Sequence, residues 1–266
     1  MRDLRVKPSS RFRIDDFTTD GSAFTPGDKE KTQQATEKLV VRLGELQELV
    51  YAEHKQRVLI VLQGMDTSGK DGTVRKVLRE TSPQGVRVVS FRKPTVVELE
   101  HDYLWRIHGP VPGNGELVVF NRSHYEDVLV VRVHSLVPPK VWRKRYDQIN
   151  DFERMLADSG TTLIKFFLHI SHEEQRERLQ ARLDDPTKRW KFQHGDLDER
   201  KRWDDYMRAY EEAIRRTSTK WAPWYVVPAD RKWARDWIAS KVVVSVLEDL
   251  RMRYPAPPDL DGVRIV

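Results

Sequence analysis

The chain has 266 residues, a formal net charge of +6, 39% hydrophobic and 33% charged residues, a pI near 9.4 and a mean hydropathy of −0.66. Eight Trp, eight Tyr and nine Phe exclude a disordered chain, and the absence of Cys excludes disulfides, thiolate zinc sites, iron–sulfur clusters and cysteine nucleophiles. No apolar run approaches the roughly 18–20 residues that span a bilayer, and the N-terminus carries charges without an apolar signal core, so a cytoplasmic protein with no membrane partner is expected. The basic surplus favours a polyanionic partner (nucleic acid, nucleotide or an inorganic phosphate chain) without choosing among them.

Residues 1–28 mix Arg, Ser, Thr, Pro and Gly without sustained periodicity and read as an N-terminal arm. From Lys29 to His54 apolar residues return at helical spacing, with Leu39, Leu43, Leu46, Leu49 and Val50 on one face. Val58–Leu62 reads as a strand buried on both faces, followed by a glycine-bearing turn and a short helix to Glu80. Val86–Phe91 is a second strand, Val96–His108 a helix, Leu117–Phe120 a third strand, Val141–Leu156 a helix and Thr162–Ile170 a fourth strand. Ser171 reads as the N-cap of a charged helix running to Leu183, with Glu174 as its capping-box partner. Leu197–Arg216 is a further helix, Trp224–Val227 a short strand and Lys232–Met252 the last helix. Strands alternating with helices predict one α/β domain whose mainly parallel sheet is covered on both faces.

Gly64-Met65-Asp66-Thr67-Ser68-Gly69-Lys70 lies between the first strand and a helix and matches G-x-x-x-x-G-K. In that setting backbone amides and a helix N-terminus surround a phosphate, and the lysine reaches its neighbour. The usual motif continues with Ser or Thr, whose hydroxyl binds Mg²⁺, but here Asp71 and Gly72 follow and Asp66 lies inside the loop. Carboxylates beside a polyanion are consistent with cations between them, so metal binding passes from a hydroxyl to carboxylates. Capping of the helix start is the other reading of Asp71.

Asn121 to Asp127 follows the third strand and should face the loop, because ligands of open α/β sheets bind at the carboxyl ends of strands. Arg122 suits a bidentate grip on phosphate. Glu126 and Asp127 add metal ligands or acceptor contacts, or else cap the next helix and pair with Arg, while His124 reads as packed rather than basic. Arg176, Arg178, Arg182, Lys188, Arg189 and Lys191 flank Asp184-Asp185-Pro186. This stretch is either a lid that closes on a transferred phosphoryl group or a solvated helix face with i,i+4 ion pairs. Trp190 and Phe192 within it either stack on a base or anchor the loop.

The segments Gly64 to Thr73 and Phe120 to Val128, together with Arg182, Lys188–Phe192, Asp102–Arg106 and Ala222–Tyr225, resemble the second polyphosphate kinase family, a relative of thymidylate kinase among the P-loop kinases. The resemblance runs over nearly the whole chain, and the Asp-Gly ending of the loop belongs to that pattern. It implies a three-layer α/β sandwich with a helical lid near residues 182–197, acting on inorganic polyphosphate and adenine nucleotides with Mg²⁺ or Mn²⁺. Carried over by position, Gly64, Thr67, Ser68, Gly69, Lys70, Asp71, Gly72, Thr73 and Arg189 bind phosphates. Asp66, Lys70, Arg122 and Arg182 are the catalytic set, and Asn121, Glu126, Asp127 and Lys188 face the nucleotide acceptor. Many members have Asp where this chain has Asn121, which shifts metal binding toward Asp66 and Glu126 or Asp127. Ser123 to Val130 resembles the subgroup that phosphorylates both AMP and ADP, and family members commonly form dimers or tetramers. The competing readings are an ATP-dependent nucleotide or nucleoside kinase and a non-enzymatic polyanion- or RNA-binding protein; no RNA-recognition signature accompanies the basic pI, and no nucleic-acid partner is expected.

Overall fold

The computed structural model describes residues 2–8, 11–259, 261 and 263–265. Runs of Val, Ile, Leu and Phe with no polar alternation can be satisfied only between two apolar layers. Accordingly β1 (Arg57–Gln63), β2 (Val86–Ser90), β3 (Glu116–Asn121), β4 (Thr161–His169) and β5 (Trp224–Pro228) form a parallel sheet in the order β2-β3-β1-β4-β5. β1, at the centre, aligns Val61 with Phe120 on one side and Lys165 on the other.

Successive side chains leave opposite faces of the sheet and meet different helices. Leu59, Val61, Val118, Phe120, Leu163 and Phe167 pack with Tyr146, Ile149 and Phe152 of α6 (Pro139–Asp158) and Ala213 and Ile214 of α9 (Trp203–Thr217). Val58, Ile60, Leu62, Ile164 and Phe166 pack on the other face with Leu43 and Val50 of α1 (Lys29–Glu53) and Ile238 and Val243 of α10 (Lys232–Asp249). Each such Val, Leu, Ile or Phe side chain contributes about 1.5–3 kcal/mol on full burial. The remaining helices are α2 (Lys70–Val77), α3 (Val96–Leu99), α4 (Trp105–His108), α5 (Val130–Val133), α7 (His172–Asp184) and α8 (Gly195–Lys201).

Several expected elements are divided or shifted. The helix expected over Val96–His108 is α3 and α4, because the Asp102 carboxylate accepts from the Leu104 amide at 2.9 Å and makes a local turn between them. Leu197–Arg216 is α8 and α9, parted at Arg202, and the last helix stops at Asp249. On α1, Val40 replaces Leu39 in the core, with Leu39 and Leu49 half-buried. Ser171 does cap α7, accepting from the Glu174 amide at 3.0 Å, but the return bond of a capping box is absent. The Ser171 amide donates to Asp230 at 2.8 Å, and the Glu174 carboxylate takes Arg178 at 2.6 Å.

Residues 1–28 include Met1, Ser9 and Ser10, which lie outside the described residues; Leu4 to Val6, Phe12 and Ile14 of this arm are docked on the body. Arg5 bridges Tyr225, the Val6 amide donates to Trp224 O at 2.9 Å, and Phe12 and Ile14 are buried. Among the described residues no helix is long and apolar enough to cross a membrane.

Lys165 interrupts the apolar run of β4 and is fully buried beside Glu153 of α6, with Nζ 2.5 Å from Oε2. Burial opposes the Glu153 charge, but Lys165 and His124 outweigh it and hold the carboxyl below its ordinary value. Removing one partner strands the other charge. Lys165→Met should therefore cost about 3–5 kcal/mol in urea denaturation, and adding Glu153→Gln should recover most of the loss. Equal stabilities for the single and double variants would contradict an ionised pair.

Candidate active site

β1 delivers the chain into a loop, Gly64 to Gly69, that turns directly into α2. At Gly69 the backbone adopts φ 100°, and a Cβ there would lie 1.9 Å from Nη1 of Arg235, so only glycine fits. Arg235 is buried and donates to Asp236 Oδ1 from Nε at 2.9 Å and Nη2 at 2.6 Å. From the other side α7 holds the loop by its carbonyl oxygens. Arg178 Nη1 donates to Thr67 O at 2.9 Å and Ser68 O at 3.1 Å, and Gln175 Nε2 donates to Asp66 O at 3.1 Å. With those carbonyls occupied, the loop keeps amides for an anion. The hydroxyls of Thr67 and Ser68 are buried without a hydrogen-bond partner, as groups awaiting a phosphate oxygen would be.

Lys70, the first residue of α2, folds back so that Nζ donates to Gly64 O at 2.7 Å and Met65 O at 3.2 Å. Burial, with Arg122 nearby, pushes its pKa down to about 8 against the pull of Asp66, Glu126 and Asp71. Arg122, at the end of β3, takes φ 61° and donates from Nη2 to Asp66 Oδ1 at 2.7 Å. Burial works against its cation, but Glu126 and Asp66 outweigh that and raise its pKa. Lys70, Asp66, Arg122 and Glu126 thus converge at the carboxyl ends of β1 and β3, where sequence placed them.

Other expected residues are engaged elsewhere. Asp71 makes no cap on α2; its Oδ1 accepts from Asn121 Nδ2 at 2.7 Å. Successive residues of the 3₁₀ turn His124–Asp127 point about 120° apart, and only Glu126 faces the loop. Asp127 turns away to Arg145, whose Nη1 lies 2.9 Å from its Oδ1, and burial raises its pKa to about 6 despite that partner. Among the described residues no three His, Asp or Glu side chains converge as a metal cage, so the set Asp66, Glu126 and Asp127 is not assembled. Asp66 with Glu126 remains, a donor set that fits Mg²⁺, which binds through one or two carboxylates and completes its shell with phosphate oxygens and water.

In the segment expected to form a lid, Arg182 is 3.6 Å from Asp196, and Asp196 also faces Asp66 and Arg122. Lys188 and Arg189 are not brought to the loop: Lys188 pairs with Asp185, and Arg189 Nε donates to Leu183 O at 2.7 Å. Trp190 is 76% exposed, its indole donating to Thr187 O, so it is not a core anchor. Glu199 of α8 accepts from Tyr206 OH at 2.6 Å and pairs with His134 of the segment after α5. His124 is packed, as expected, with Nε2 3.2 Å from Glu153 Oε1.

Sequence reasoning missed Gln175 and Arg235, and it read Arg178 only as one cation of a lid or of a solvated helix face. It also missed a cavity of about 600 Å³ beside α2, lined by Lys29, Lys76, Arg231 and Lys232 together with Glu174, Asp230 and Asp236. Its cations come from three separate helix starts or faces and share no motif.

Residues 27–255 match the family model described as Polyphosphate kinase 2. The chain belongs to this family. An AMP/ADP-polyphosphate phosphotransferase of Meiothermus ruber is 58% identical over 257 residues, covering 97% of this chain and 96% of that one. An ADP-polyphosphate phosphotransferase of Rhodopseudomonas palustris is 46% identical, covering 85% of this chain and 83% of that one. The crystal structure of polyphosphate kinase 2 from Arthrobacter aurescens TC1 superposes with a TM-score of 0.92 at 43% identity, over 96% of this chain and 91% of that chain. The expected P-loop kinase-like α/β fold is therefore the fold of this polyphosphate kinase 2 member.

An anion in the loop should restore the full charge of Lys70. At about pH 8.5 the free lysine is largely neutral, so tripolyphosphate binding should take up a proton, and affinity should fall as pH rises further. Calorimetry in two buffers of different ionisation enthalpy measures the net proton exchange, which includes that of the ligand, and the unaltered protein should take up more protons than Lys70→Met. Equal proton exchange by the two proteins would contradict the assignment.

Proposed function

We propose that this enzyme moves a phosphoryl group reversibly between inorganic polyphosphate and AMP or ADP, giving ADP and ATP. The observation that carries the reading is the gathering of cations around the loop after β1. Lys70 sits under the loop, Arg122 is held over it by Asp66, and Arg182 is held at its edge by Asp196. The names of the Meiothermus ruber and Rhodopseudomonas palustris relatives support the substrates. Under the same reading the chain is one kinase domain with an arm over residues 1–28 and a lid near 182–197. It works in the cytoplasm as a homodimer or homotetramer, as the resemblance implies.

The acceptor is itself a phosphate and already ionised, so no general base is required. What the residues must do is align two polyanions that repel. The loop amides, Lys70 and the free hydroxyls of Thr67 and Ser68 hold the donor end, and Lys29, Lys76, Arg231 and Lys232 of the mixed-charge cavity beside α2 receive further phosphates of the chain. Asn121 and Glu126, on the β3 side, orient the acceptor. Arg122 and Arg182 exchange their carboxylate partners for the transferred group and offset its charge. Asp66 and Glu126 would hold Mg²⁺ or Mn²⁺, which when bound would supply positive charge to offset that of the phosphates.

Purified protein with Mg²⁺, long-chain polyphosphate and AMP, without ATP, should yield ADP and ATP on nucleotide chromatography. Asp66→Asn and Lys70→Ala should each lower turnover by roughly 10²–10³ with unchanged circular dichroism. Product only when ATP is the donor would make the enzyme an ordinary nucleotide kinase and overturn the polyphosphate reading.

A further inference from the structure

The proposed transfer leaves one polar cluster unused, and it lies directly beneath the turn that carries Arg122 and Glu126. Glu153 and Lys165 are fully buried. Lys165 Nζ, 2.5 Å from Glu153 Oε2, also donates to Tyr125 OH and to Thr217 O, each at 2.8 Å. Tyr125 OH donates in turn to Glu153 Oε1 at 2.8 Å, and His124 Nε2 is 3.2 Å from the same oxygen. Two consecutive residues of the turn therefore hang from one buried carboxylate. The Tyr125 ring is further fixed edge-on against Trp224, with centroids 4.7 Å apart.

Stability alone does not account for such a cluster. A buried ion pair replaced by apolar groups of similar volume is often neutral or more stable. The turn, however, needs restraint. Arg122 holds φ 61°, a left-handed conformation that a side-chain-bearing residue keeps only where its surroundings impose it. Upstream, its amide is fixed to Leu62 O at 3.0 Å; downstream, the Ser123 hydroxyl takes Gln63 Nε2 at 3.1 Å and the Tyr125 amide at 3.2 Å. The next two side chains are the ones tied to Glu153. Arg122 and Glu126, on either side of them, are the groups that face the loop.

We propose that Glu153 and Lys165 are positioning residues: by tethering His124 and Tyr125 they hold the turn in the conformation that aims Arg122 at the transferred phosphoryl group. The proposal rests on the transfer reading above, because it assigns Arg122 its task there. Neither buried residue reaches the phosphate space, so substrate binding through Lys70 and the loop should be spared while the chemical step suffers.

Tyr125→Phe removes only the hydroxyl joining the turn to the pair and keeps the packed ring. It should lower kcat about 10-fold, the scale expected for a small misplacement, with KM for polyphosphate within about twofold of wild type. In an Arg122→Ala background, where residual turnover is followed, the same change should alter kcat less than about twofold, because residues that act through one another are not additive. Glu153→Gln with Lys165→Met should lower kcat in the same way while the thermal midpoint stays within a few degrees. Wild-type kcat in folded Tyr125→Phe, or a full loss repeated in the Arg122→Ala background, would overturn the proposal. If the unaltered enzyme takes phosphate from ATP only, the polyphosphate reading alone falls. The cycle is then run with ATP, for which Arg122 has the same task.

Discussion

A loop that binds phosphate through its amides must keep its own carbonyl oxygens away from the anion. In this protein that constraint is met by Arg178 of α7, whose guanidinium reaches Thr67 O and Ser68 O with one nitrogen and Ala229 O and Asp230 O with another. One side chain thereby joins the loop after β1 to the segment after β5. Arg235 closes the other side, filling the space where Gly69 lacks a Cβ. The sheet order brings these elements together, since β4 lies between β1 and β5 and feeds α7 directly above the loop.

Around this frame several polar side chains of the site are paired with one another. Arg122 rests on Asp66, Arg182 near Asp196, and Asn121 on Asp71. Each contact is short enough to order a side chain, and each is open enough to be exchanged for a substrate oxygen. The contrast with Glu153 and Lys165 is physical. Pairs at the solvent edge trade partners at modest cost, whereas a pair sealed under the sheet face cannot let go without stranding a charge.

Much of the fold and the centre of the site was legible in the sequence. Apolar runs, broken by Lys165 in β4 and by Arg87 in β2, located all five strands to within a residue or two, and the G-x-x-x-x-G-K spacing after the first of them located Lys70 and Asp66. What sequence could not show was the direction of each side chain. Glu126 and Asp127 are neighbours with equal claims as ligands, and only the tight pitch of their turn sends one to the loop and the other to Arg145. Arg178 and Glu174 have the spacing of a solvated ion pair, and its burial depends on β5 arriving from residues 50 positions away. Lys188 and Arg189 matched a motif, yet Asp185 and Leu183 O, their neighbours in the same exposed segment, take up their charges. The break at Asp102 was written locally, in a carboxylate that bonds the amide two residues on, and helical periodicity masked it.

The docked arm bears on how this chain reaches its native state. Val6 is fastened on both sides by residues more than two hundred positions downstream, its amide to Trp224 O and its carbonyl to the Ser218 hydroxyl. During synthesis these residues have no such partner until Ser218 and Trp224 have followed. Contacts of such sequence separation carry a large loop-closure cost and slow the search for the native topology. The arm is therefore one of the last pieces to settle, and the edge of β5 stays unprotected until it does.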